Sequence, residues 1–224
     1  MTVTPSGSRT VYDETEPAMV ALVASLRELM DATVLTRAGD DVLADVTAAV
    51  DAARATLAGA DRDLLVDRMP WPEANKIVHG DRPHNPVMGP VNPLAPPVPL
   101  TIEPDGSIVS RLTMRPIHEG PPGGVHGGWV AAVFDQMLGV ANIVSGVGAM
   151  TAELTIRYRK PTPIDVPLEI RARTDSVDGR RVRSSGEITA NAVVTAEATG
   201  LFLLATPERM AEHRAHVEDN RDLS

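Results

Sequence analysis

His118-Glu-Gly-Pro-Pro-Gly-Gly-Val-His-Gly-Gly-Trp-Val-Ala-Ala-Val-Phe-Asp-Gln-Met-Leu-Gly139 is the stretch on which the reading of this chain turns. Its first half cannot hold regular structure. Pro121 and Pro122 lack an N–H and fix φ, and Gly120, Gly123 and Gly124 cost too much backbone entropy to sit in a helix. Its second half opens a helix over 129–143. Val130, Val133, Phe134, Met137, Leu138 and Ala141 recur at helical spacing. Asp135 is the one ionisable residue in that span, so nearly every side is apolar or small, and such a helix must be buried. Gly127 and Gly128 stand at its start, where first-turn N–H groups are unpaired and the helix dipole is positive. That end suits a developing oxyanion. Asp135 follows Gly127 by eight residues, about two turns. A carboxylate there is costly to bury unless paired or used. From the residues alone it reads equally as a reacting group or as a solvated Asp on an exposed strip.

Working outward, four strand-like runs follow the helix, at 150–160, 166–177, 181–190 and 193–204. Asp178-Gly179 between the second and third is a strong hairpin signal. Upstream, 108–114 alternates as a strand after the turn Asp105-Gly106. The expected order is therefore strand, strand, buried helix, then a four-stranded meander, an α+β layer architecture. Prolines crowd 70–99, including Pro83, Pro86, Pro90, Pro93, Pro96 and Pro97, and forbid helix or central strand there. Trp71, Val87, Met88 and Val91 make that segment too apolar for a linker, so it reads as an extended strap on the domain surface. In 1–69, Met19, Leu22, Val23, Leu26 and Met30 mark one helix. Val42, Val46, Val50, Ala53 and Leu57 mark a second, with Leu64-Leu65-Val66 as a short apolar turn after it. These read as packing or dimer contacts without chemistry. The division is an N-terminal helical extension (1–69), a proline-rich strap (70–99), the α+β domain (100–206) and a charged tail (207–224), where Met210, His213 and Val217 suggest a short helix.

The chain has 224 residues, is 43% hydrophobic and carries a net charge of -9. That supports a real core and argues against non-specific nucleic-acid binding, which needs a basic footprint. It contains no cysteine, which excludes disulfides, thiolate nucleophiles and cysteine metal sites. None of the six histidines shows metal-ligand spacing, so no metal and no cofactor are expected. No secretory signal and no membrane-spanning run of about 18 uncharged apolar residues is read, so a cytoplasmic protein is expected.

Three motifs then align. His126-Gly127-Gly128 opens the helix with Asp135 nine positions after the His. Thr151 opens a strand with Tyr158 seven residues on and Pro161 three beyond. Ala196-Glu197-Ala198-Thr199-Gly200-Leu201-Phe202 closes the sheet. Over roughly 85–206 this resembles the PaaI-like hotdog-fold acyl-coenzyme A thioesterases. The resemblance implies a long central helix wrapped by an antiparallel sheet, and a homodimer or dimer of dimers with its site at the subunit interface. It implies hydrolysis of acyl-coenzyme A, a role in lipid metabolism, with Asp135 as nucleophile or general base. The Gly127 N–H, with Gly128 as a second donor, would polarise the carbonyl. Thr151 from the partner subunit would hold water or substrate. His126 would fix the loop or touch substrate.

This sequence departs from the family where many relatives carry Asn: six residues before His126 stands Gly120, preceded by Glu119. Glu119 is a second candidate carboxylate, or a loop cap. Arg159, Lys160 and Arg180 are candidate contacts for coenzyme A phosphates, or solvated strand-edge charges. Trp129, Val133 and Met137 are expected on the floor of the acyl groove. Two Phe, two Tyr and two Trp in the chain favour a flexible aliphatic tunnel, hence medium or long acyl chains. Two alternatives stand beside hydrolysis: a hotdog dehydratase or hydratase, which would pair the carboxylate with a catalytic His, and a non-catalytic acyl-coenzyme A-binding module.

Overall fold

The computed structural model describes residues 17–60, 84–96 and 98–204, with isolated residues of the C-terminal tail. Two helices, α1 (Pro17–Leu35) and α2 (Asp40–Ala58), come first. Strands β1 (Leu100–Ile102) and β2 (Ile108–Thr113) lead through a 3-10 turn at Pro116–His118 to helix α3 (Gly127–Val144). Then come β3 (Ala149–Tyr158), β4 (Pro167–Asp178), β5 (Arg181–Ala190) and β6 (Val193–Leu204). All pair antiparallel in one six-stranded sheet, order β1-β2-β4-β5-β6-β3.

The elements fall where apolar periodicity placed them, and the hotdog arrangement of a helix wrapped by a sheet is present. The four-stranded meander is not. Only β4, β5 and β6 are sequential neighbours. β2 pairs with β4, and β3 lies at the far edge against β6. Alternation tells which face a residue takes but not which strand lies beside it.

The core is the seam between α3 and the inner sheet face. Phe134, Met137 and Leu138 of α3 are fully buried against Ile170, Val182, Ile188, Ala198 and Phe202. Each such side chain contributes about 1.5–3 kcal/mol by leaving water. Leu138 sits over two glycines. A Cβ on Gly186 would lie 3.3 Å from Leu138 Cδ2, and one on Gly200 3.2 Å from its Cδ1. Side chains there would strike the Arg171 carbonyl oxygen (2.8 Å) and the Phe202 ring first, and crowd Leu138 as well. Asn142, buried in the last turns of α3, accepts hydrogen bonds through Oδ1 from Ser184 Oγ (2.6 Å) and Thr174 Oγ1 (2.9 Å). This polar pin ties the helix C-terminal half to β4 and β5. By length and composition α3 is apolar enough to cross a membrane, but it carries Asp135 and is packed as the core helix of the sheet.

Of the strap, residues 84–96 and 98–99 run as successive turns rather than an extended run, with Met88, Ala95 and Val98 buried, while 70–83, with Trp71, lie outside the described residues. Prolines fix φ without enforcing extension, and the intervening Asn85, Gly89 and Asn92 close turns through their own hydrogen bonds. Helix α1 holds it. Arg27 Nη2 donates to the carbonyls of Gly89, Pro90 and Asn92. Arg115 pairs with both Glu28 and Asp31, and Asp31 also accepts from the Ile117 N–H. Helix α2 has no buried residue. The apolar turn at 64–66 lies outside the described residues. In the tail, Glu208, Ala211, Glu212 and Ala215 are helical.

Candidate active site

Asp135 is exposed on α3 and opposite the start of β3. Thr151 Oγ1 donates to Asp135 Oδ1 at 2.7 Å. Both residues belong to one chain, which corrects the expectation that Thr151 comes from the partner subunit. Helix α3 runs into β3 through a short turn, so its outer face folds directly onto the first residues of that strand. Around Asp135 the helix carries Ala131, Ala132 and Gly139, one turn away on either side. A Cβ on Gly139 would meet nothing within 4 Å. Small side chains leave a lane beside the carboxylate. Gln136, the next residue, accepts from Asn85 Nδ2 of the strap at 2.8 Å. Val133 and Met137 do not floor a groove. They point into the core, where helical periodicity requires.

The helix start is built by a cap and an anchor. His126 Nδ1 accepts the Gly128 N–H at 3.0 Å, making His126 the N-cap. Gly128 is therefore not a free oxyanion donor. The Gly127 N–H makes no hydrogen bond among the described residues and remains available. Tyr158, at the end of β3, donates its hydroxyl to the Gly127 carbonyl at 2.9 Å. A Cβ at Gly120 would stand 2.7 Å from His126 Cα, so this loop has no room for the Asn that relatives place there. Glu119 Oε1 accepts from the Gly123 N–H at 2.6 Å, closing the loop from within.

Behind the loop lies His118. It is buried, accepts the Arg115 N–H on Nδ1 (3.0 Å) and sits 3.3 Å from the Leu94 carbonyl through Nε2. These contacts select the tautomer protonated at Nε2. Its ring meets Trp129 edge-on, centroids 4.7 Å apart. Its carbonyl accepts the His126 N–H at 2.9 Å. Burial pushes the His118 pKa below its ordinary value, with the Arg115 charge adding and the Leu94 carbonyl and Asp31 opposing. Trp129 is thus half-buried against His118 rather than spread under a ligand.

The cationic candidates separate. Arg159 donates through Nε and Nη2 to Glu197 across the β3–β6 pair, at 2.9 and 2.7 Å, so its charge is already answered. Lys160 stays exposed, its N–H on the Thr195 carbonyl near Tyr158. Arg180 lies at the other end of the sheet, where its carbonyl accepts from Leu204. Thr195 to Leu204 spans about 30 Å of strand, so Lys160 and Arg180 of one chain do not share one phosphate group. Tyr158, His118 and Asn85 are the site residues that sequence reasoning passed over as chemistry. The motif spacing contained Tyr158. Nothing in the local sequence marked the other two.

The length of α3 separates its free amide from its carboxylate. Eight residues from Gly127 to Asp135 span about 12 Å. A carbonyl oxygen within about 3 Å of the Gly127 N–H is out of reach of the same chain's Asp135.

A family profile for the thioesterase superfamily matches residues 122–196. The crystal structure of a thioesterase superfamily protein superimposes with a TM-score of 0.76 at 33% identity, over 86% of this chain and 98% of that one. Acyl-coenzyme A thioesterase THEM4 of Xenopus laevis is 35% identical over 94 residues, which is 41% of this chain and 42% of that protein. THEM4 of Mus musculus is 37% identical over 93 residues, 41% and 40% of the two chains. The match thus spans about two fifths of the length of these curated relatives.

Proposed function

The chain belongs to the thioesterase superfamily, and from that premise we propose that two copies of it together hydrolyse acyl-coenzyme A thioesters. The observation that carries this is the exposed Asp135 carboxylate held by Thr151 on an otherwise uncharged helix. With Oδ1 occupied by Thr151, Oδ2 faces outward and takes a proton from water. The hydroxide adds to the thioester carbonyl, and the oxyanion accepts from the Gly127 N–H of the second copy. Collapse breaks the C–S bond, and the departing thiolate takes up the proton held on Asp135. Free acid and coenzyme A result.

The 12 Å separation supports a second copy, and the edge of the sheet offers it a surface. β3 is an edge strand, and it carries Thr151. In a two-fold pair, Gly127 of each copy faces Asp135 of the other, so the two α3 helices run antiparallel. Lys160, beside Tyr158 and the helix start, is the residue we assign to a coenzyme A phosphate. The small residues around Asp135 support a slender aliphatic chain of medium or long length.

The test is thiol release from saturated acyl-coenzyme A thioesters of graded length. Asp135→Asn should lower kcat/KM by about 10²–10⁴ while the protein stays folded. An inert wild type across the series, or a fully active variant, sinks the reading. Single turnovers in H₂¹⁸O test for attack by Asp135 itself: unlabelled acid with label in Asp135 means that the carboxylate attacked, whereas labelled acid is shared by the base and by an anhydride opened at the acyl carbon, which hydroxylamine trapping then distinguishes.

A further inference from the structure

Helix α1 holds none of the candidate site residues, yet it lies against the turn Pro116–His118 that leads into the site. Asp31 makes the attachment. Its side chain is only 13% exposed, and both of its oxygens are engaged. Oδ2 accepts from Arg115 Nε, and Oδ1 accepts the Ile117 N–H at 3.3 Å. Glu28 Oε1 also accepts from Arg115, at 2.9 Å, but Glu28 is 77% exposed and its pull is screened by water. Asp31 is therefore the partner that holds the turn. Without it a largely buried guanidinium and a backbone N–H both lose an acceptor, and the turn must shift to find another.

That turn is coupled to the start of α3. The His118 N–H donates to the Arg115 carbonyl at 2.8 Å, and His118 Nδ1 accepts the Arg115 N–H at 3.0 Å. Residues 115 to 118 thus move as one piece. The His118 carbonyl accepts the His126 N–H at 2.9 Å. His126 then caps α3 by accepting the Gly128 N–H on Nδ1 at 3.0 Å. Gly127 stands between those two residues. The plane of its amide is the peptide bond that begins at His126, so the N–H turns with the His126 backbone.

We infer that Asp31 is a positioning residue for the Gly127 amide, whose part as oxyanion donor is the reading on which this inference rests. Helix α1 is then a brace for the reaction and not packing alone. A donor displaced by about 0.5 Å loses its hold on the oxyanion, while binding of coenzyme A in the ground state is untouched.

The test uses the full-length protein. Asp31→Asn keeps the shape of the side chain and replaces one of its two acceptors with a donor. Its kcat for acyl-coenzyme A hydrolysis should fall about tenfold with KM nearly unchanged, whereas Glu28→Gln should stay within about twofold of wild type. Labelling with ¹⁵N-glycine supplies a readout that lost stability alone does not move. The assigned amide cross-peaks of Gly127 and Gly128 should shift in Asp31→Asn, while those of Gly186 and Gly200, beneath Leu138, keep their positions. Unmoved Gly127 and Gly128 peaks overturn the inference, and so do shifts shared by all four glycines. A wild-type kcat, or a loss carried by KM, overturns it as well. If Gly127→Pro is inactive and Asp31→Asn fully active, only the brace fails. If Gly127→Pro hydrolyses at the wild-type rate, the amide is not the oxyanion donor, and the brace falls with that reading.

Discussion

At the scale of single residues, the candidate site is braced by side chains that lie behind its loop. His118 holds Arg115, Leu94 and Trp129 with its ring and His126 with its carbonyl, so the loop before α3 is seated on a neutral, buried imidazole. Its pKa lies below the ordinary 6.5 because burial disfavours the charged form. The sign follows: the unfolded chain takes up the proton first as pH falls. The stability His118 contributes is therefore whole above about 6.5 and is lost as pH drops through its depressed value in the folded protein. Melting temperature should decline from pH 7 towards pH 5, and the slope over that window should be shallower in His118→Gln; equal slopes would remove His118 from the account. None of this was legible in the sequence, where a lone His before a glycine-rich loop has no periodicity to place it. Asp135 stood out because a single charge in an apolar helix is a contrast a sequence displays, whereas Thr151 was singled out only by the motif resemblance. Gly120 shows the limit of analogy. Its missing side chain reads as a lost ligand until the His126 backbone is found where the Cβ would be.

At the scale of elements, α3 was readable because its apolar face is wide and uninterrupted, and β4, β5 and β6 because they alternate and share tight turns. The neighbour relation of β3 was not, since β3 is followed in sequence by β4 but pairs with β6. That crossing is what brings Tyr158 to the helix start. The Tyr158 hydroxyl on the Gly127 carbonyl ties the end of β3 to the first residue of α3. Tyr158→Phe removes one exposed hydrogen bond, so the stability cost should be about 0.5–1.5 kcal/mol. The amide it positions matters more: kcat should fall about tenfold with KM nearly unchanged, as expected when an oxyanion donor loses its alignment. Steady-state kinetics alongside thermal unfolding separates the two effects, and a change in KM alone would argue against the anchor.

At the scale of the whole molecule, the proposed two-copy site makes a sharp prediction about mixtures. Gly127→Pro deletes the one available amide, and proline is tolerated at a first helical position. His126, at φ -59 and ψ 133, already has the backbone a residue before proline prefers. Gly127→Ala is the control that keeps the N–H. Gly127→Pro and Asp135→Asn should each be inactive alone. Co-folded in equal amounts they should recover about a quarter of the wild-type rate, because half the pairs are mixed and one site in each is whole. No recovery would mean that amide and carboxylate serve the same chain. The bare outer edge of β3 has a further consequence. Alternate residues of its ten turn their amides and carbonyls to a side with no neighbour among the described residues, and such a row templates any extended chain that meets it. A preparation diluted until its copies part should therefore be lost by polymerisation, scattering light and seeding fresh protein, before it is lost by melting, and the concentrated stock should outlast the dilute one on the shelf.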